Sequence, residues 1–499
     1  MLNMMFADIA DTYKNCHVDV YPTDMKKLVS YLVPRKSMFE DQNKLVVFGI
    51  QAFIKKFNET AQNWFTLPLT EVIKDYKKKM NLQLGSNNYE TAHIERLHKL
   101  GYLPLKIKAV AEGSLVNTGV PIVSVENTIP EFAWLAQWTE CWLQSEIWKT
   151  CNDATAGYLY YKLAKEYYDK TTDEADPRMS MSDFGMRGMS CIEESCKTSA
   201  SWLVSFNKTS TVPAISWLDY YYDADCSYNH IGVGAVSIEH SVVSSNVAAG
   251  VSEHDLLVKL LKQYKNFSYV ADTYDYWNVV TNILPSIKEE ILRHDGKILI
   301  RPDSGDQYEN VVKTVQSLWE SFGGTENKKG FKVLNSHVGV ILGDGCTLNQ
   351  VKKIWKKLYE MKFAATNVVF GVGAFCFHAF FEKDKMIVST RDTFGFAQKT
   401  TYIELQNGKE LFVIKDPKTD TTKLKKSHKG LIHVEKIGSD YIAVDGLFKD
   451  SYNSYCKTHK DELQVVYEDG HFLTNCTLLD VRNKLEYDAQ QGGCYAERI

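Results

Sequence analysis

Three acidic residues stand where short apolar runs end: Asp272, Asp303 and Asp344, with Glu239-His240-Ser241 and Arg301 at equivalent positions. Carboxylates so placed can hold Mg²⁺ or accept hydrogen bonds from sugar hydroxyls, and one beside a ribose stabilises positive charge developing at its anomeric carbon. Each can also serve only as a helix N-cap. In a phosphate-binding bowl His240 can act as an acid–base group or a transient phosphoryl acceptor; the alternative is a satisfied buried histidine. Gly343-Asp344-Gly345 and Gly371-Val372-Gly373 follow apolar runs, where a phosphate can come close to backbone N–H groups. Cations able to meet phosphate are Arg35, Arg187, Arg301, Arg391, Lys399, Lys415 and the run Lys423, Lys425, Lys426, Lys429, which alone reads as a solvated loop. Tyr13 and Phe184 offer flat rings for stacking, or ordinary core packing.

Something must bring these residues together, and the middle third supplies a rhythm. β-prone runs ending in small polar loops are anchored near positions 184, 213, 240, 272, 303, 344 and 371, and one strand–helix unit needs about 30 residues. The runs are Met179–Asp183, Val212–Ile215, Ala235–Ile238, Phe267–Ala271, Lys297–Ile300, Val338–Leu342 and Asn367–Phe370. Helical patterns fill several gaps: Asp255–Tyr264, Tyr308–Phe322 and Leu348–Met361. Parallel strands alternating with helices close into a barrel or a doubly wound sheet, and chemistry then sits at the strands' carboxyl ends.

The flanks differ. Residues 1–150 mix strands (Lys44–Phe48, Leu105–Val110, Pro121–Val125) with helices (Gln51–Phe57, Pro130–Trp148). Residues 391–499 carry two hairpin signals, Gln406-Asn407-Gly408-Lys409 and Glu468-Asp469-Gly470. The expectation is one α+β domain built from both flanks, around an α/β barrel over 151–390.

The 499 residues are 44% hydrophobic and 24% charged, which excludes a disordered or fibrous chain. A net charge of −4 gives no global footprint for nucleic acid. The eleven cysteines lie apart without CxxC spacing, so a zinc site or disulfide scaffold is not expected and a reduced, cytoplasmic enzyme is. The N-terminal stretch has no secretory pattern, and no apolar run is long enough to span a membrane.

Several strings carry a further signal. Asp11-Thr12-Tyr13-Lys14, Ile107-Lys108-Ala109-Val110 with Glu112-Gly113, Val125-Glu126-Asn127-Thr128, Asp183-Phe184-Gly185-Met186-Arg187-Gly188, Glu239-His240-Ser241, Asp272-Thr273-Tyr274-Asp275, Ile300-Arg301-Pro302-Asp303-Ser304-Gly305, Gly343-Asp344-Gly345 and Lys415-Asp416-Pro417 occur in one order. With them the chain resembles the nicotinamide phosphoribosyltransferase family nearly end to end. The resemblance implies a type II phosphoribosyltransferase fold: an irregular α/β barrel beside a second domain built from both termini. It implies a homodimer with active sites at its interface, the substrates nicotinamide and phosphoribosyl pyrophosphate, Mg²⁺, and ATP as an activating co-substrate. By the same resemblance, Phe184 and Tyr13 of a second copy stack on the nicotinamide ring, with Arg187 near its carboxamide. Asp303 and Asp344 hold ribose hydroxyls beside Arg301. Gly343, Gly373 and Ala374 cradle the 5′-phosphate. Arg35, Arg391, Lys399, Lys415 and Lys423 face pyrophosphate and ATP phosphates. His240 is the histidine that ATP phosphorylates, next to Asp272. Which residues hold the metal is left open.

Four positions depart from the family pattern. Ser210 stands where the amide-using enzymes carry an Asp that accepts from the carboxamide and repels a carboxylate; nicotinate-using relatives tend to carry Ser. Ala374 and Phe375 replace glycines, and Ala397 replaces a hydroxyl residue. Overall similarity favours nicotinamide, with nicotinic acid as the alternative base. The carboxylate ring alone also permits a metal-dependent phosphosugar hydrolase.

Overall fold

The computed structural model describes residues 5–39, 42–173, 175–224, 231–382, 385–419 and 426–493. The chain divides into two compact units. One comprises Met1–Ala154, Tyr220–Ala224 and Ser389–Ile499; the other comprises Thr155–Asp219 and Asp225–Val388. Both termini therefore build the first unit, and the five-residue stretch Tyr220–Ala224 returns to it from the middle of the chain.

The terminal unit is organised by a seven-stranded antiparallel sheet. Its order is Glu410–Phe412, Phe396–Leu405, Met25–Pro34, Val123–Asn127, Leu105–Ala109, Gln464–Glu468, His471–Phe472. The Met25–Pro34 strand is central because seven consecutive residues from Leu28 to Pro34 are buried. The two hairpin signals fold as turns. Asp469 and Gly470 adopt φ of +48° and +85°, the pair of left-handed residues that a two-residue hairpin requires. Helices Ile50–Phe65, Leu69–Leu84 and Ala92–Leu100 pack in the same unit, where Phe6 meets Phe57, Trp64, Trp138 and Trp142.

The second unit carries the expected rhythm. Six parallel strands lie in the order Met181–Asp183, Val368–Val372, Val338–Leu342, Lys297–Arg301, Asn266–Val270, Val236–Ser237. Val338–Leu342 is buried throughout, as expected for a parallel strand covered on both faces. The sheet curls. Parallel bridges Asp183–Thr209 and Lys208–Val233 link its first edge to the segment that runs into Val236. Helices between strands follow the periodic patterns: Glu253–Gln263, Gln307–Phe322 and Leu348–Glu360. The last buries Val351, Ile354, Trp355 and Leu358, one stripe at helical spacing.

One expected strand is absent. Val212–Ile215 opens the helix Val212–Tyr222. β-branched residues favour strands only where a pleated partner is available. Here the bridging role falls to Lys208 and Thr209 just before, and Thr211 precedes a helix turn. Among the described residues no disulfide forms, and no helix is long and apolar enough to cross a membrane.

Candidate active site

The carboxyl ends of adjacent parallel strands place the acidic loops side by side. Pairing of Val270 with Arg301 sets Asp272 next to Asp303, and the Asp303 N–H donates to Asp272 Oδ2 at 3.1 Å. His240, the first residue of helix His240–Ala248, directs Nε2 to 3.5 Å from Asp303 Oδ2 and 3.9 Å from Asp272 Oδ1. Its Nδ1 lies 3.0 Å from the Thr273 hydroxyl. The Arg301 side chain is fixed at its fork: one terminal nitrogen donates to Ser237 Oγ at 2.8 Å and the other to the Ile238 carbonyl at 3.1 Å. That leaves Nε 3.6 Å from Asp303 Oδ1. Two carboxylates, a guanidinium and an imidazole therefore share one small volume.

These aspartates are not helix caps. In each of the three loops the capping role falls three residues later. Asp275 accepts from Asn278 N–H, Asp306 from Glu309 N–H, and Thr347 from Gln350 N–H. Asp272, Asp303 and Asp344 are thus left without a capping role, as capping demands only one side chain per helix start.

Phe184 supplies a wall. Its ring lies so close over Gly371 that a Cβ there would come within 2.1 Å of Cε2. From Gly343, a Cβ would point at Arg301 Cδ (3.4 Å), Phe184 Cε2 (3.5 Å) and Asp303 Oδ1 (3.6 Å). The glycine thus opens onto a spot where aromatic, cationic and anionic groups converge. Asp344 follows it, exposed. Beneath, burial pushes the Cys346 thiol well above its usual range, with Cys376 and then Asp344 adding to the rise, so the thiol stays protonated. Ala374 lies against Gly188, where a Cβ would meet its own at 2.1 Å, and Gly373 beside it faces open space. The turn carrying Arg187 and the Gly373–Ala374 turn are therefore neighbours; His378 Nε2 lies 3.0 Å from the Gly188 carbonyl in the same place. Ser210 is exposed, its N–H donating to the Asp183 carbonyl at 2.9 Å.

The remaining candidates belong to the terminal unit. Tyr13 is 54% exposed. Arg35 follows the Met25–Pro34 strand and donates to the Gly395 carbonyl at 2.9 Å. It shares a pocket of about 140 Å³ with Lys399, Lys426 and His428. Lys399 also lies 3.4 Å from Glu140. Arg391 is exposed and pairs with Asp392 at 3.1 Å, and Lys415 is exposed. Lys423 lies outside the described residues. In this unit His433, Cys456 and Asp461 also gather. There Asp461 accepts from Val434 N–H, Leu463 N–H and Tyr452 hydroxyl, and Lys108 donates to Tyr452. A lysine already supplies the positive charge, so this group reads as a hydrogen-bond network.

Ser237, Thr209 and Thr211 were given no role by the sequence reading, and Thr273 entered it only within the string Asp272-Thr273-Tyr274-Asp275. Hydroxyl residues carry no spacing signature; Thr209 and Thr211 merely flank Ser210, which the sequence reading named.

Residues 179–471 match the Nicotinate phosphoribosyltransferase (NAPRTase) family, and residues 4–107 match the Nicotinamide phosphoribosyltransferase N-terminal domain. A nicotinamide phosphoribosyltransferase of Acinetobacter baylyi is 35% identical over 508 residues, covering 95% of this chain and 96% of its own. Among solved structures, nicotinate-nucleotide pyrophosphorylase from Pyrococcus furiosus aligns with a TM-score of 0.61 at 12% identity, covering 99% of this chain and 97% of that one. Human nicotinic acid phosphoribosyltransferase aligns with a TM-score of 0.58 at 12% identity, covering 96% and 93%. At such identity these two structures speak for the fold.

Proposed function

Because the chain belongs to the nicotinate phosphoribosyltransferase family, we propose that it transfers phosphoribose from phosphoribosyl pyrophosphate to nicotinamide. The products are nicotinamide mononucleotide and pyrophosphate. The observation that carries this reading is the meeting of Phe184, Arg301 and Asp303 around Gly343: a flat wall, a cation and a ribose-hydroxyl acceptor in one place.

The nitrogen lone pair of the base forms the bond to the anomeric carbon, and the carbon–oxygen bond to pyrophosphate breaks with its electron pair. No side-chain nucleophile takes part. Asp303 and Asp344 accept from the ribose hydroxyls and stabilise positive charge on the sugar, while Phe184 aligns the base; positioning and charge supply the rate. Gly343, Gly373 and Ala374 hold the 5′-phosphate. Arg35, Arg391, Lys399, Lys415 and Lys423 meet the other phosphates. Tyr13, with its exposed ring, serves the site of a second copy in a homodimer.

Asp272 and Asp303 fit a Mg²⁺. Asp272 Oδ1 is buried without a hydrogen-bond partner among the described residues, and hard carboxylate oxygens suit that ion. When bound, the ion neutralises charge gathering on pyrophosphate. ATP enters as a phosphoryl donor to His240, whose side chain is 48% exposed. Ser210, which can donate or accept, does not exclude a carboxylate and so leaves room for a second reading, with nicotinic acid as the base.

The test is to incubate purified chain with Mg²⁺, phosphoribosyl pyrophosphate and nicotinamide. The proposal expects mononucleotide and pyrophosphate in equal amounts; pyrophosphate released without base would mark a hydrolase instead. Label from γ-phosphate-labelled ATP, stable to base and labile to acid, is expected on the native chain and lost in His240→Ala.

A further inference from the structure

We propose that Asp183 is the positioning residue that sets the geometry of the base slot, and that it does so through the two hydroxyls flanking Ser210. The inference rests on the transferase reading above.

Asp183 ends the Met181–Asp183 strand immediately before Phe184, and only 1% of it is exposed. Its carboxylate reaches two loops at once. Oδ1 accepts from the Gly185 N–H at 2.7 Å. Oδ2 accepts from the Thr209 hydroxyl at 2.9 Å and the Thr211 hydroxyl at 2.8 Å. The first bond shapes the turn that carries Phe184 and Arg187. The other two pin the residues on either side of Ser210. The backbone repeats the tie: the Asp183 carbonyl accepts from Ser210 N–H, and Phe184 N–H donates to the Val372 carbonyl at 2.8 Å.

The polarity of the network requires an acid here. A hydroxyl has one proton, and Thr209 directs its own to Asp183. Its oxygen then accepts from the Thr211 N–H at 2.9 Å and the Ser199 hydroxyl at 2.7 Å. Thr209, Thr211 and Ser199 are each at most 3% exposed, so water cannot replace a lost partner cheaply. An ionised carboxylate accepts on both oxygens and meets three donors. An amide in its place would turn an NH₂ toward at least one of those donors. The buried charge is balanced by fixed dipoles, an arrangement that rigidifies what it joins.

Phe184 and Ser210 frame the bound base from two loops, and Asp183 is the group that bonds both. Loosening it should weaken capture of the base far more than that of the phosphosugar, because the Asp272, Asp303 and Gly343 loops do not pass through it, although the Gly373–Ala374 turn meets the Asp183-shaped turn at Gly188. The test uses full-length chain and steady-state kinetics with each substrate varied. Thr211→Val keeps the shape and removes one donor. It is expected to raise the KM for nicotinamide about tenfold, with the KM for phosphoribosyl pyrophosphate changed less than about twofold. Asp183→Asn is expected to do the same more strongly, and Thr211→Ser, which restores the hydroxyl, to behave as the unaltered chain. The double variant Asp183→Asn/Thr211→Val should be no worse than Asp183→Asn alone, since both remove one interaction. Equal rises in both KM values, or an unchanged nicotinamide KM in Thr211→Val, would overturn the inference while leaving the transferase reading intact. If the unaltered chain turned over neither base, the transferase reading and this inference would fall together.

Discussion

The backbone N–H of Asp303 is bonded to Asp272 Oδ2 at 3.1 Å, while Oδ1 of the same carboxylate is buried and unpartnered among the described residues. One oxygen thus locks two strand-end loops together and the other faces the site. A buried carboxylate oxygen without a donor is costly, so it favours the arrival of a cation. Replacing Asp272 with Asn is expected to raise the Mg²⁺ concentration for half-maximal turnover about tenfold, measured by titrating Mg²⁺ at saturating substrates. On the proposed mechanism, replacing Asp303 with Asn removes charge beside the ribose, and should lower kcat about 10²-fold with the thermal midpoint little changed. An Asp303→Asn enzyme of normal turnover would place the chemistry elsewhere.

Gly371 has no room for a side chain beneath Phe184, since a Cβ would lie 2.1 Å from the ring. Strand backbone cannot shift freely, so Gly371→Ala must tilt the ring out of its seat. The expected result is at least about a tenfold loss in kcat/KM for the base, with a soluble, folded protein by circular dichroism. Kinetics matching the unaltered chain would remove Phe184 as the slot wall.

Ser210 can donate or accept, and so does not select between amide and carboxylate. Ser210→Asp adds a charge that repels the acid and accepts from the amide. The ratio of kcat/KM for nicotinamide over nicotinic acid should rise about tenfold or more, read from parallel assays with both bases. An unchanged ratio would take Ser210 out of base selection.

Glu112 offers a stability test independent of catalysis. Burial pushes its carboxyl up to about 7, although the N–H groups of Gln51 and Gly49 and the Tyr222 hydroxyl all favour the ionised form. A folded-state value above the unfolded one means that the folded chain holds this proton more tightly. The associated stabilisation is complete below the unfolded value near 4.5 and is lost as pH rises through about 7. Denaturant melts across that window should show a fall in stability that Glu112→Gln, neutral at every pH, lacks in part. The missing part is on the order of 3 kcal/mol. Identical pH slopes in the two proteins would contradict it.

Much of the site could be read in the sequence because parallel strand–helix units have a fixed logic: polar residues at strand ends must collect in one bowl. Asp272, Asp303, Gly343 and His240 were visible for that reason. That Asp272, Asp303 and Asp344 do not cap was not visible, because Asp275, Asp306 and Thr347 stand three residues on and either side chain in a loop could cap a helix. Val212–Ile215 was misread as a strand because β-branched residues say nothing about whether a pairing edge exists. The Asp183 network was hidden because its hydroxyl partners, Thr209 and Thr211, stand 26 and 28 residues away in sequence and are of types that occur everywhere. The clustering of Arg35 and Lys399 depends on the register of Met25–Pro34 against Phe396–Leu405, a pairing across more than three hundred residues that no local pattern encodes.

The most direct measurement is a product assay on the purified chain with nicotinamide and nicotinic acid side by side, each with phosphoribosyl pyrophosphate and Mg²⁺, with and without ATP. The expected result is nicotinamide mononucleotide and equimolar pyrophosphate, formed faster from the amide than from the acid and faster still with ATP. Consumption of nicotinic acid alone would contradict the assignment of the base, and no mononucleotide from either would contradict the account as a whole.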